Sequence, residues 1–243
     1  MLGKITKNYS PNFSSNARNS KNIKFLIFHY TGMKSEKKAI ERLIDERSKV
    51  SSHYFIKRNG EIILMVPDLY VAWHAGDSKW KKYNSINKYS VGIEISNKGH
   101  GNGYQEFSKK QIQSLIRLSR SIIKRYKINK CNILGHSDIA YNRKKDPGEK
   151  FPWKLFAKKK IGIWHNLNNN KLTNLRGIKL SNNEDKKFLK KLGKIGYFVN
   201  KKSIPRRKNL IIAFQRRFRS ELINGKSDRE CLIIANKISK LSQ

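Results

Sequence analysis

Acidic residues are scarce in this sequence, and that shortage sets its electrostatic character. The chain has 17 Asp and Glu against 54 Lys and Arg, which gives a formal net charge of +37. Such an excess indicates a polyanionic partner, either nucleic acid, an anionic membrane or an acidic polymer, and does not choose among them. Because Lys, Asn and Ile are abundant in predicted helices and loops alike, we attribute much of the charge to overall composition.

Cysteines and long apolar runs are also lacking. Cys131 and Cys231 are the only cysteines, so the chain cannot form a disulfide framework or a cysteine-based zinc site. No stretch approaches the ~20 apolar residues of a membrane span, and the N-terminal region lacks the apolar segment of a secretion signal. The sequence by itself therefore predicts a cytoplasmic protein without a transmembrane segment, with a monomer as the default state.

Periodicity and composition divide the 243 residues into four parts. Residues 1–22 are polar and turn-rich, and they predict a loosely ordered N-terminal lead-in. Residues 23–165 carry strand and helix patterns and are long enough to form one domain with its own core. Asn-rich, aperiodic residues 166–182 predict a linker, and residues 183–243 predict a small domain of three short helices.

The patterns of the first domain predict an α/β fold of the α+β kind. The strand-like runs IKFLIFHYTG, SVGIEIS and KCNILGH alternate with helical patterns, one over residues 36–50 and one that begins with a capping box from Ser108 to Gln111. Two further β-runs flank Asn59 and Gly60, a dipeptide typical of a tight hairpin turn. This order predicts a mixed β-sheet flanked by helices and followed by the three-helix C-terminal domain.

Two histidines and one aspartate carry the strongest chemical signal. His29 and His136 each stand at the end of an apolar run, and Asp146 precedes Pro-Gly in the loop GHSDIAYNRKKDPGEKFPW. Strand ends place side chains at the edge of a sheet, where one loop carboxylate can complete a three-ligand site. Two neutral imidazoles and a carboxylate suit Zn²⁺ with a fourth position for water. On spacing alone, a buried histidine bonded to the backbone is the commoner arrangement.

Four further residues extend this candidate site, and each has a plain structural alternative. Glu94 points away from its apolar neighbours in SVGIEIS, so it either faces solvent or enters a polar cleft as a general base. Lys144, two residues before Asp146, could stabilise an oxyanion or be an ordinary solvated lysine. His74 and Trp73 of AWHAGD could line a pocket, and a structural histidine explains that motif about as well.

Five motifs in register resemble the zinc-dependent N-acetylmuramoyl-L-alanine amidases of the phage-lysozyme and peptidoglycan-recognition type. They are FHYTG, SSHYFIKRNGEI, AWHAG, SVGIEI and GHSDIAYNRKKDPGEKFPW, and together they span most of the predicted first domain. The resemblance implies one Zn²⁺ per chain, bound by His29, His136 and Asp146. It also implies that Glu94 is the catalytic base and that Lys144 stabilises the oxyanion.

On the substrate side, the resemblance implies contacts from His74, Trp73 and Trp80, and from Asn87 before YSVGIE. The C-terminal pattern FLKKLGKIGY, with IIAFQRRFR and NGKSD, resembles a three-helix peptidoglycan-binding-like domain of one enterobacterial-type branch. That branch usually carries a lipoprotein signal, which is lacking here, and a proline where this chain has Tyr141. By resemblance the protein belongs in the bacterial periplasm or envelope, in contrast to the cytoplasmic location predicted above.

The implied reaction is hydrolysis of the amide between N-acetylmuramic acid and L-alanine, in peptidoglycan or in muropeptides that include the 1,6-anhydro form. Two other functions stay open. A non-catalytic peptidoglycan receptor would keep the fold, although the complete set of ligands, base and lysine argues against it. A nucleic-acid-binding protein ranks last, because the basic residues do not surround a recognisable binding motif. The sequence therefore predicts peptidoglycan or a muropeptide as partner and no specific nucleic acid.

Overall fold

A six-stranded mixed sheet lies at the centre of the structure, a computed structural model that describes residues 5–199 and 204–242. The strands are β1 (Ile5–Lys7), β2 (Phe13–Ser14), β3 (Phe25–Tyr30), β4 (Tyr54–Ile56), β5 (Ile62–Leu64), β6 (Val71–Ala72), β7 (Lys79–Trp80), β8 (Tyr83–Asn84), β9 (Ser90–Ile95) and β10 (Ile133–Gly135). The helices are α1 (Glu36–Ile44), α2 (Lys109–Tyr126), α3 (His136–Ile139), α4 (Trp153–Lys158), α5 (Asn169–Thr173), α6 (Asn182–Ile195), α7 (Ile204–Phe218) and α8 (Arg229–Leu241).

The strand order of the main sheet is β1-β5-β4-β9-β3-β10. Within this sheet, among the described residues, β4 and β5 are the one antiparallel pair, and they form the hairpin around Asn59 and Gly60 that the sequence predicts. The four adjacent strands β4, β9, β3 and β10 run parallel, so their carboxyl ends meet at one edge of the sheet. The predicted α/β class with a mixed sheet and flanking helices is confirmed.

Alternate residues of β3 contact different layers of the fold. Leu26 and Phe28 belong to the core that α2 covers, and the predicted capping box at Ser108 starts that helix. Phe25 and Ile27 belong to a core that also contains residues of α6, α7 and α8. His29 has the same parity as Phe25 and Ile27, so it lies on the sheet face that the C-terminal helices cover.

The first residues are part of the fold and not a loosely ordered lead-in. Strand β1 pairs with β5 at one end of the main sheet, and β2 pairs with β6. Arg18 is buried, and its guanidinium donates to the Asp68 carbonyl. The prediction for residues 1–22 is therefore wrong over the described residues 5–22, because strands of three and two residues are too short to produce an alternating pattern.

The segment 166–182 is also more ordered than a linker. It contains α5, and its side chains Leu172 and Leu180 are buried in the core shared with the C-terminal helices. The three helices predicted after it are present as α6, α7 and α8, and the Asp228 side chain caps α8 by accepting from the Cys231 backbone N–H. Among the described residues no helix has both the length and the apolar character needed to span a membrane.

Candidate metal and catalytic site

Three neighbouring strands place three candidate residues side by side at the carboxyl edge of the sheet. In the β3–β9 register, His29 is paired with Glu94. In the β10–β3 register, Gly135 is paired with Phe28, so His136 follows directly opposite His29 at the start of α3. Because the three strands pair in parallel, His136, His29 and Glu94 lie in a row at the carboxyl edge of the sheet.

Asp146 reaches this row from the loop between α3 and α4. The loop is tied to α3 because the Ser137 backbone N–H donates to the Asp146 carbonyl at 2.8 Å. Asp146 Oδ2 lies 3.0 Å from His29 Nδ1 and 3.0 Å from His136 Nδ1, and the two Nδ1 atoms are 2.9 Å apart. All three residues are buried. One oxygen and two nitrogens therefore converge on a single point.

The outer nitrogen of His136 shows which tautomer a neutral ring has at this position. His136 Nε2 is 3.1 Å from the Ala75 carbonyl, which can only accept, so Nε2 carries the hydrogen. In a neutral imidazole the other nitrogen, Nδ1, then has a free lone pair. That lone pair points at Asp146 and His29.

A chain of hydrogen bonds fixes the tautomer of His29 in the same way. The Ser90 hydroxyl donates to the Ile86 carbonyl at 2.7 Å, so its oxygen accepts from His74 Nε2 at 3.1 Å. Neutral His74 then accepts through Nδ1 from His29 Nε2, 3.0 Å away, which leaves His29 Nδ1 as a lone pair. Burial, with the neighbouring His29 next in importance, holds the pKa of His74 well below its usual value, consistent with a neutral ring.

These assignments test whether the three residues suit a metal ion. Two nitrogen lone pairs and a carboxylate oxygen face one another at about 3 Å with no proton available between them, an arrangement that a cation stabilises. Two imidazoles and one carboxylate, each oriented by an outer hydrogen bond or loop contact, are a donor set typical of a catalytic zinc site with an open position. The residues therefore fit a divalent transition metal ion.

The lowered pKa of His29 agrees with a metal-binding state at neutral pH. Burial, followed by the neighbouring His136, lowers the pKa of His29 to about 4, so its ring is neutral. The His29 ring is thus available as a metal ligand without competition from a bound proton.

Glu94 lies beside this donor set and is free to move a proton. Its Oε2 is buried and has no hydrogen-bond partner among the described residues. Desolvation, followed by the nearby Asp146 carboxylate, raises the pKa of Glu94 to about 8, while Lys144 opposes the shift. Once ionised, an unpaired carboxylate with raised basicity is suited to act as a general base.

A cleft of about 540 Å³ opens above these groups. Glu94, His136 and Asp146 line it, and Lys144 lies in its wall, in the loop that also carries Asp146. Arg42, Arg143 and Lys145 line the cleft as well, so four cations face two carboxylates. This balance favours a ligand that carries carboxylates or develops negative charge.

The residues predicted on the substrate side divide between the cleft and the scaffold. Trp73 and His74 line the cleft, where Trp73 is half-buried. Trp80 is 1% exposed and stacks edge-on against Tyr197, so the geometry gives it a packing role between β7 and the C-terminal helices. Asn87 does not line this cleft either, since its Oδ1 accepts from the backbone N–H groups of His74 and Ala75.

Two partners of the metal-site histidines were missed by the sequence reasoning: the Ser90 hydroxyl and the Ala75 carbonyl. The alternation of side chains along β9 does indicate the Ser90 hydroxyl. Ser90, Gly92 and Glu94 lie on one face of the strand: Ser90 binds His74, and a Cβ at Gly92 would come within 2.5 Å of the His74 ring. A backbone carbonyl such as that of Ala75 leaves no signal in the sequence.

Replacing Ser90 by alanine is expected to weaken zinc binding about 10- to 100-fold, because His74 loses the acceptor that fixes its hydrogen on Nε2. Chelator competition with the purified variant measures the affinity. Ser119→Ala is the matched control, since Ser119 is also buried and its hydroxyl has no partner among the described residues. Equal affinities in the two variants would contradict this role of the Ser90 and His74 chain.

Comparison with known proteins finds one matching family and several relatives of this chain. Residues 19–149 match the family described as N-acetylmuramoyl-L-alanine amidase. The amidase AmiD of Escherichia coli K12 is 35% identical over 229 residues, which cover 89% of this chain and 82% of AmiD. The 1,6-anhydro-N-acetylmuramyl-L-alanine amidase AmpD of the same organism is 39% identical over 108 residues, 44% of this chain and 57% of AmpD.

Solved structures resemble nearly the whole chain. The complex of E. coli AmiD with the substrate anhydro-N-acetylmuramic acid-L-Ala-D-gamma-Glu-L-Lys superposes with a TM-score of 0.82 at 33% identity, covering 94% of this chain and 92% of that one. AmpDh3 from Pseudomonas aeruginosa gives a TM-score of 0.80 at 28% identity, with 94% of each chain covered. Both similarities extend beyond residues 19–149 into the C-terminal helices.

Proposed function

Because the chain belongs to the N-acetylmuramoyl-L-alanine amidase family, we propose that it hydrolyses the amide between the lactyl group of N-acetylmuramic acid and L-alanine. The substrate is peptidoglycan or a muropeptide, including the 1,6-anhydro form, which is the kind of substrate that the AmiD complex contains. The observation that carries this proposal is the convergence of His29, His136 and Asp146 beside an unpaired Glu94 in an open cleft.

We propose that one zinc ion is held by His29 Nδ1, His136 Nδ1 and Asp146 Oδ2. When bound there, zinc would supply Lewis acidity that polarises the scissile carbonyl and lowers the pKa of water. The donor geometry supports zinc, and so does membership of a family that uses it. The tautomers fixed through Ala75 and His74 keep both imidazole lone pairs turned inward.

Glu94 moves the proton in this reaction. Its free Oε2 takes a proton from the attacking water as the oxygen bonds to the amide carbon. The ammonium of Lys144, in the cleft wall, stabilises the negative charge that develops on the carbonyl oxygen. Glu94 then delivers the proton to the amide nitrogen as the carbon–nitrogen bond breaks, which leaves a carboxylic acid on the lactyl group and a free amine on L-alanine.

Residues around the reacting groups bind the rest of the substrate. Trp73 and the cationic residues of the cleft contact the glycan or the peptide carboxylates of the substrate. Glycan binding by the C-terminal helices and the cellular compartment, cytoplasm or envelope, stay predictions from the resemblance. The relatives come from bacteria, and peptidoglycan is a bacterial polymer.

The test combines metal analysis with mass spectrometry of muropeptides incubated with the purified chain. We expect about one zinc per chain and release of a stem peptide that begins with L-alanine. A chelator should abolish this release, and added zinc should restore it, because the donor set has no positive side chain of its own to replace the ion.

Each alternative gives a different result in that experiment. Release that persists after complete zinc removal would contradict the metal-dependent mechanism. Bound zinc with intact muropeptide would instead indicate a peptidoglycan receptor. A parallel incubation with intact sacculi separates the polymeric substrate from the soluble and 1,6-anhydro fragments.

A further inference from the structure

The turn that carries His136 depends on a buried carboxylate two residues further along. Helix α3 spans only His136–Ile139, and Gly135 before it offers no side chain to cap it. Asp138 is 1% exposed and does this instead, because its Oδ2 accepts from the Gly135 backbone N–H at 2.8 Å. The position of His136 therefore follows the position of the Asp138 carboxylate.

The partners of Asp138 come from the C-terminal helical region. Arg217, in α7, donates from Nη1 to Asp138 Oδ2 and from Nη2 to the Ile133 carbonyl at 2.9 Å. The Tyr197 hydroxyl, just after α6, donates to Asp138 Oδ1 at 2.6 Å. Arg217 thus bridges β10 and α3, on the two sides of Gly135.

The surroundings of Arg217 make this contact rigid. Its side chain is 3% exposed, and its guanidinium lies 4.3 Å from the ring centre of Trp153 and 4.9 Å from that of Phe218. A buried carboxylate that loses its charged partner is strongly disfavoured. Removing Arg217 therefore weakens the hold on the Asp138 oxygen that caps the His136 turn.

We propose that Arg217 and Tyr197 are positioning residues for the metal ligand His136, so that the C-terminal helical region controls metal affinity from outside the cleft. Neither residue lines the cleft, and the side chains of both hydrogen-bond to Asp138 and not to His29, His136 or Asp146. This role extends the proposed function and rests on it in one respect, the metal at His136. It assigns the C-terminal helices a task within the catalytic site, separate from any binding of glycan.

The experiment compares two buried arginines that are two positions apart. Arg217→Met removes the partner of Asp138. Arg219→Met is the matched control, because Arg219 is 1% exposed and pairs with Asp228 and Glu230 inside the C-terminal region. Both variants are expected to lower the melting temperature, but only Arg217→Met should weaken zinc binding, by about tenfold or more in chelator competition.

Tyr197→Phe keeps the test decisive if Arg217→Met does not fold. It removes one hydroxyl from Asp138 and leaves the ring packing against Trp80 in place. A smaller but measurable loss of zinc affinity supports the proposal. If Arg217→Met does not fold, unchanged zinc affinity in Tyr197→Phe overturns the proposal by itself; if it folds, equal affinity in the two arginine variants overturns it.

A second readout does not require the metal. Amide hydrogen exchange of Gly135 should be slow in the wild-type and Arg219→Met chains and faster in Arg217→Met, since Asp138 then ceases to accept from that N–H. A wild-type chain that binds no zinc would refute the proposed function, while the exchange comparison would still test the link from Arg217 to the His136 turn. Equal exchange rates at Gly135 in both variants would contradict the proposed effect of Arg217 on the His136 turn.

Discussion

Replacing Glu94 by glutamine is expected to reduce kcat about 10²- to 10⁴-fold while zinc binding is retained. Glutamine has nearly the same shape but cannot accept the proton of the attacking water or return it to the leaving amine. Glu94 is not among the three converging donor residues, so the metal should stay. Turnover on a muropeptide and zinc content, measured on the same sample, check both parts. A variant with near-normal kcat would remove Glu94 from the mechanism.

The stability of the zinc-free Glu94→Gln variant provides the control for folding. In the folded chain the pKa of Glu94 is raised from 4.5 to about 8, so the folded state holds this proton more tightly than the unfolded state. The buried carboxylate therefore lowers stability progressively as the pH rises from 4.5 to about 8. The zinc-free variant should melt at a higher temperature than the wild type above about pH 8, and this difference should vanish below about pH 4.5.

The second large effect is expected for His136→Ala, which should lose zinc and with it all turnover. Removal of one of three protein ligands leaves only His29 and Asp146, and the carboxylate then lacks one of its two facing imidazoles. Zinc content after dialysis should fall from about one per chain to nearly none. Stoichiometric zinc in the purified variant would contradict the ligand assignment.

The chain offers a matched control for the loss of a buried imidazole. His165 is buried, and its Nε2 donates to the Phe218 carbonyl at 3.1 Å, just as His136 Nε2 donates to the Ala75 carbonyl. It lies outside the cleft. His165→Ala should therefore cost some stability and leave zinc content and turnover unchanged.

Strands β3, β9 and β10 of the central sheet could be predicted because they are buried on both faces. Such strands appear in a sequence as continuous apolar runs, and the runs before His29 and His136 mark the carboxyl edge where the candidate ligands meet. Helix α2 was visible from its apolar periodicity and its capping box. The convergence of His29 with Glu94 then follows from the parallel pairing of β3 with β9.

The roles of Trp80 and Asn87 could not be predicted, because each depends on a contact distant in sequence. Trp80 is covered by the turn at Gly196, where a Cβ would lie 2.4 Å from the indole. Asn87 binds the backbone of His74 and Ala75, and no sequence pattern marks an acceptor for backbone amides. The ordering of residues 5–22 was likewise invisible, since it depends on pairing with β5 and β6.

The position of β1 has a practical consequence for expressing a shortened chain. Trimming to the family-matched residues 19–149 would remove β1 from one end of the sheet and α7 from the other. Strand β5 would then present unpaired backbone groups, while β10 would lose the arginine that covers its Ile133 carbonyl. Edge strands with unpaired backbone groups can pair with strands of other chains. Such a fragment should therefore aggregate during purification, even though it contains every candidate catalytic residue.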